Sequence, residues 1–174
     1  MSMITRGAVR HVRAGEGDAV WVVGDTYTVK AEKASTGGLF GLIEARVPPG
    51  GGPPPHTHSR EDEAYYVLSG ALEFRVGTTE VMAETGDFVF LPRGIEHSFT
   101  NRGDHDARAL LLITPGGFEG FFTEVGVPVR PGERAPGMSP ADLPHLIAAT
   151  ARYGGRVNLP DIPDIPDVSE LGHD

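Results

Sequence analysis

The stretch PPGGGPPPHTHSREDEAYYVLSG, Pro48 to Gly70, sets His56 and His58 one residue apart behind a run of glycines and prolines. Residues i and i+2 of a strand point to the same face, so the two imidazoles project together. Glu63 follows five positions after His58, across a short polar bend, and can return on a neighbouring strand. A fourth donor, His97, lies in GDFVFLPRGIEHSFTN just beyond the Pro92-Arg93-Gly94 turn, on a different predicted strand. Three neutral nitrogens and one carboxylate oxygen suit a divalent transition metal (Fe, Ni, Mn, Co, Cu or Zn) and leave positions open for water and substrate. The glycines and prolines ahead of His56 would fix the backbone entering such a site before metal arrives.

The elements that position these residues read as strands. AVWVVGD and TYTVKAE turn at Gly24-Asp25, and GLFGLIEARV, Gly38 to Val47, ends at Pro48-Pro49-Gly50. AYYVLSG and ALEFRVG flank the hairpin turn Ser69-Gly70, and TEVMAE, DFVFLP, HSFTN and ARALLLIT continue the series. No segment between Val20 and Thr114 shows a helical period, so eight or more short strands imply an all-β sandwich or barrel. Beyond Thr114, Phe118, Phe121, Phe122 and Val125 fall at i, i+3, i+4 and i+7, which predicts a short helix stopped at Gly126. A second helix is predicted in SPADLPHLIAATARYGG, with Ser139 as N-cap and Pro140 at its first position. The tail NLPDIPDIPDVSELGHD is too proline-rich for a helix or a central strand and reads as extended.

Composition narrows the function. The 174 residues read as one domain (1–174), with a barrel core at about 20–115 and a helical and extended region over 116–174. A formal net charge of −9 argues against nucleic acid as a partner. With no cysteine there is neither a disulfide nor a thiolate ligand. No apolar run approaches a membrane span and the first residues lack the apolar stretch of a signal peptide, so the expectation is a cytoplasmic protein.

Two patterns carry a resemblance. Gly50, His56, His58, Glu63 and Gly70 fit G-x5-H-x-H-x4-E-x6-G, and Gly86, Pro92, Gly94, His97 and Asn101 fit G-x5-P-x-G-x2-H-x3-N, each without a departure. Both motifs in this order resemble the cupins, most strongly from Leu39 to Pro115. The resemblance implies a jelly-roll β-barrel with the metal inside, and often a homodimer. PGGFEGFFTEVGVPV and the Tyr153-Gly154-Gly155 region are similar to the quercetin (flavonol) dioxygenase-like branch of single-domain cupins. That branch implies a small phenolic or enolisable substrate, dioxygen as co-substrate, and Glu63 as proton acceptor as well as ligand. The alternatives are a redox-neutral metal-dependent cyclase, isomerase or lyase, and a non-catalytic metal- or small-ligand-binding module, since one fold hosts all three.

Other residues are read more plainly. His11, His105, His145 and His173 have no partner spacing and are expected at the surface. Strand alternation from Glu63 and His97 places Tyr65, Val67 and Phe99 on the inward face, as pocket candidates that serve equally as core. The same alternation turns Glu96 away from the metal. Phe118, Phe121 and Phe122 are expected to dock the helix on the barrel, with a lid over the metal as the alternative.

Overall fold

The structure, a computed structural model, describes residues 9–159; His173 and the proline-rich stretch from residue 160 onward lie outside the described residues. The chain opens with β1 (Asp18–Val22) and β2 (Asp25–Ala31), then a one-turn helix α1 (Lys33–Thr36) and β3 (Gly41–Val47). The strands β4 (His56–His58), β5 (Asp62–Ser69), β6 (Ala71–Val76), β7 (Thr79–Glu84), β8 (Phe88–Leu91), β9 (His97–Thr100) and β10 (Ala107–Thr114) follow. After them come α2 (Glu119–Val125), β11 (Val127–Pro128), α3 (Leu143–Arg152) and β12 (Gly155–Val157). Pairing is antiparallel throughout, in a seven-stranded sheet ordered β11-β1-β2-β3-β10-β5-β8 and a five-stranded sheet ordered β12-β4-β9-β6-β7. The two sheets enclose one core in the expected jelly-roll arrangement.

Alternation along the strands builds that core. On β10, Ala107, Ala109, Leu111 and Ile113 turn inward and are fully buried, opposite Val47, Ala45, Ile43 and Gly41 of β3. Burial of each large aliphatic side chain contributes about 1.5–3 kcal/mol. Tyr65, Phe74 and Phe99 fill one part of the interior, their ring centroids 5.2–5.6 Å apart.

Three local readings are corrected. A helix does occur between Val20 and Thr114: α1 is closed by a capping box of Glu32 and Ser35, and its first N–H, on Lys33, donates to Glu119 Oε1 at 2.5 Å. Glu119 also accepts from the N–H of Gly117 at 2.6 Å, so one buried carboxylate joins α1 to α2 across 86 residues. No periodicity in a local window reports such a cap. The second C-terminal helix starts at Leu143 rather than Pro140, because Asp142 Oδ2 accepts from both the N–H and the hydroxyl of Ser139, closing a turn ahead of the helix. The first hairpin turns at Val23-Gly24, both with positive φ (53° and 88°), rather than at Gly24-Asp25. That conformation costs a β-branched residue about 1–2 kcal/mol.

Candidate metal centre

The four residues singled out by spacing converge. His56 and His58 come from β4 and His97 from β9, where it sits directly opposite His56. Glu63 comes from β5 in the other sheet, so the donors close across the barrel. One donor atom from each lies within 4.8 Å of every other. Glu63 Oε1 is 3.4 Å from His58 Nε2, and Oε2 is 3.2 Å from His97 Nε2.

Hydrogen bonds behind the site fix the tautomers. His56 Nδ1 donates to the carbonyl of Pro54 and His97 Nδ1 to that of Ile95, both at 2.9 Å, which leaves each Nε2 facing inward, that of His97 against Glu63 Oε2. Among the described residues neither ring nitrogen of His58 has a hydrogen-bond partner, although the residue is buried. Three imidazoles and a carboxylate buried against one another would all be satisfied by one shared cation. That is the chemistry of a transition-metal site, and the donor set fits a divalent ion.

The protonation preferences agree. Burial pulls His56 down to about 4, with help from neighbouring His97, and burial likewise lowers His58. Burial also acts to lower His97, but its hydrogen bond to Glu63 and that carboxylate's charge outweigh it and leave His97 raised. For Glu63 burial is opposed by His58, His97 and His56, which together hold the carboxyl down at about 2. Near neutral pH the carboxylate is therefore ionised, while His56 and His58 keep free lone pairs.

The backbone entering the site is tightly threaded. Gly52, at φ 130°, passes so close to the carbonyl of Phe99 that a Cβ would collide with it. A Cβ on Gly51 would stand 2.5 Å from Asp25 Oδ1. Asp25 itself is buried and accepts from the Tyr27 hydroxyl at 3.0 Å through Oδ2. Burial pushes its carboxyl up to about 7 despite the bonds from Tyr27 and Gly52. On the outer edge, β4 is covered by β12, with His58 opposite Gly155 and His56 opposite Val157. The N–H of Asn158 extends this strap to the carbonyl of Pro55 at 2.8 Å.

A cavity of about 60 Å³ adjoins the donors, lined by His56 and Glu63 with Tyr27, Tyr65, Phe118 and Phe122 among its apolar walls. Phe118 packs edge-on against His58, ring centroids 4.1 Å apart. Helix α2 thus docks on the barrel and covers the site together, joining the two roles considered for Phe118, Phe121 and Phe122. Of the pocket candidates, Tyr65 lines the cavity; Val67 and Phe99 point inward as alternation requires but pack deeper, in the core. His11, His105 and His145 are exposed, as is Glu96, which accepts from the side chain of Asn158 at 2.5 Å. Sequence reasoning missed Asp25, Tyr27 and β12. Asp25 sat in an apparent turn, and three residues of strand carry no pattern.

The comparisons with known proteins agree with this geometry. Residues 43–113 match the family described as Cupin domain. Over 123 residues the chain is 29% identical to quercetin 2,3-dioxygenase of Bacillus subtilis, a match covering 70% of this chain and 36% of that protein. It is 36% identical over 81 residues to the tetracenomycin polyketide synthase protein TcmJ of Streptomyces glaucescens, covering 47% of this chain and 53% of that protein. The chain thus spans between about a third and a half of these relatives. Among solved structures, a predicted oxalate decarboxylase of Thermotoga maritima superposes with a TM-score of 0.57 at 25% identity, covering 60% of this chain and 98% of that one.

Proposed function

We propose that the chain, whose residues 43–113 match the cupin domain, is a metal-dependent dioxygenase acting on a small phenolic or enolisable substrate. The observation that carries this reading is the convergence of His56, His58, Glu63 and His97 beside an apolar cavity walled by aromatic side chains. A divalent metal held by those four residues would supply Lewis acidity and access to dioxygen. Glu63, ionised and facing the cavity, takes the proton of the substrate's phenolic or enolic hydroxyl. Tyr27, Tyr65, Phe118 and Phe122 hold a flat ring and exclude water from it. The carbonyls of Pro54 and Ile95 keep the His56 and His97 rings in place.

Similarity to quercetin 2,3-dioxygenase supports the oxygenase reading. Similarity to a polyketide synthase protein favours a second one, redox-neutral cyclisation or isomerisation in the same site. An oxygen electrode separates them: metal-loaded protein consumes oxygen with a phenolic or enolisable substrate under the first reading. Turnover without oxygen uptake establishes the second.

We also propose a homodimer. Tyr66, Phe88 and Phe90 are about half exposed on the outside of the seven-stranded sheet, and β8 is its edge strand among the described residues. Light scattering at micromolar concentration should give twice the chain mass of 18.5 kDa.

A further inference from the structure

A strained valine stands where two cavities meet. Val23 occupies the tip of the β1–β2 hairpin, half-buried, with φ at 53°. At the first position of such a two-residue turn, asparagine or glycine fits easily and a β-branched residue does not. Strain of this kind persists where the surroundings hold it in place, and it clusters at functional sites.

Val23 lines the cavity beside His56 and Glu63, and it also lines a groove of about 270 Å³ with Trp21, Val125, Met138, Asp142 and His145. Val22 and Leu146 line both spaces too, but each is locked into the core. The inner cavity, at about 60 Å³, is far smaller than the roughly 300 Å³ at which ligand pockets begin. Joined to the groove it would reach that scale.

We propose that Val23 sets the size of substrate: its isopropyl group closes the cavity beside His56 and Glu63 off from the outer groove and restricts the site to single-ring phenols or enols. The proposal rests on the reading of that cavity as the substrate site. It predicts that multi-ring ligands are excluded by one side chain at a hairpin tip. The helical cover is not what excludes them.

Two variants of the full chain separate the side chain from the strain. Val23→Ala joins the two spaces and keeps the unfavourable backbone; Val23→Gly joins them and relieves it. Metal-free wild type and both variants are titrated with quercetin, a three-ring probe, and with catechol, a one-ring probe, by calorimetry. Both variants should bind quercetin at least about tenfold more tightly than wild type, the scale on which a pocket discriminates by small apolar groups, with catechol gaining no affinity. Val23→Gly should also melt above Val23→Ala although it removes more side chain. Equal quercetin affinity in all three proteins, or a Val23→Gly melting point below that of Val23→Ala, overturns the assignment. A separate titration of cobalt-loaded wild type with catechol reports on the substrate-site reading. An unchanged visible spectrum there counts against that reading alone, since the quercetin comparison is made without metal.

Discussion

The carboxylate and the histidines of the site are held by opposite means. Glu63 is the second residue of β5, held between Ile113 of β10, which pairs with β5 from end to end, and Leu91 of β8 on the other side. Its position follows from a long ladder with a fully buried inward face, where a one-residue slip would turn every apolar side chain to solvent. His56 and His58 occupy a strand of three residues that meets β9 where His56 faces His97. Their placement depends on the Gly-Pro segment threaded past Asp25 and Phe99, and on β12 arriving from the C-terminal region. One arm of the site is fixed by the barrel itself. The other is fixed by whatever is packed around it.

The largest effect should come from the rigid arm, through chemistry rather than position. Glu63→Gln keeps the shape and one donor oxygen but removes the base. Turnover per bound metal should fall by about two orders of magnitude or more, the typical contribution of a positioned general base, while much of the metal is retained. Near-normal turnover per metal would make Glu63 a ligand only.

The dependent arm should respond to a change that touches no ligand. A side chain on Gly155 would stand 2.7 Å from Thr150 Cγ2 and 3.4 Å from Phe118, so Gly155→Val forces β12 away from β4. Metal affinity, measured by competition with a chelator, should drop about tenfold, as for loss of a supporting partner of a metal ligand. Leu111→Ala, a cavity in the long ladder, should lower the melting temperature and leave affinity unchanged. Equal affinity losses in both variants would erase the distinction between the arms.

A smaller effect concerns Asp25, beneath the loop that feeds the histidine arm. Its carboxyl is raised from 3.8 to about 7 in the folded protein, so below about pH 4 both states are protonated and it carries no penalty. Between about pH 4 and 7 the unfolded chain releases the proton and the folded chain keeps it, so stability falls as pH rises, by at most about 1.4 kcal/mol per pH unit. Asp25→Asn should flatten that slope. The variant should melt close to wild type at pH 4 and above it at pH 8; parallel melting curves across this range would show that Asp25 does not titrate there.

The same division explains what could be read from the sequence. His56, His58, Glu63 and His97 were legible because strand alternation and fixed turn spacing are local, and both motifs are complete. Alternation also gave the correct face for Tyr65, Val67 and Phe99. It carries no information on depth along the barrel, which is why Tyr65 reaches the cavity and the other two belong to the core. The missed features depend on distant partners: α1 is capped by Glu119, β12 has strand form because β4 offers an edge, and Asp25 is buried by the loop of Gly51 and Gly52. Val23 went unread for another reason, since its residue type contradicts the turn it occupies.

The central claim is that His56, His58, Glu63 and His97 hold one transition-metal ion. Elemental analysis of the purified wild type and of five variants, His56→Ala, His58→Ala, His97→Ala, His105→Ala and His145→Ala, tests it directly. The account predicts about one metal ion per chain in the wild type and in the two surface variants, with metal largely lost from the three that remove an inward-facing imidazole. The same metal content in all six proteins would contradict it.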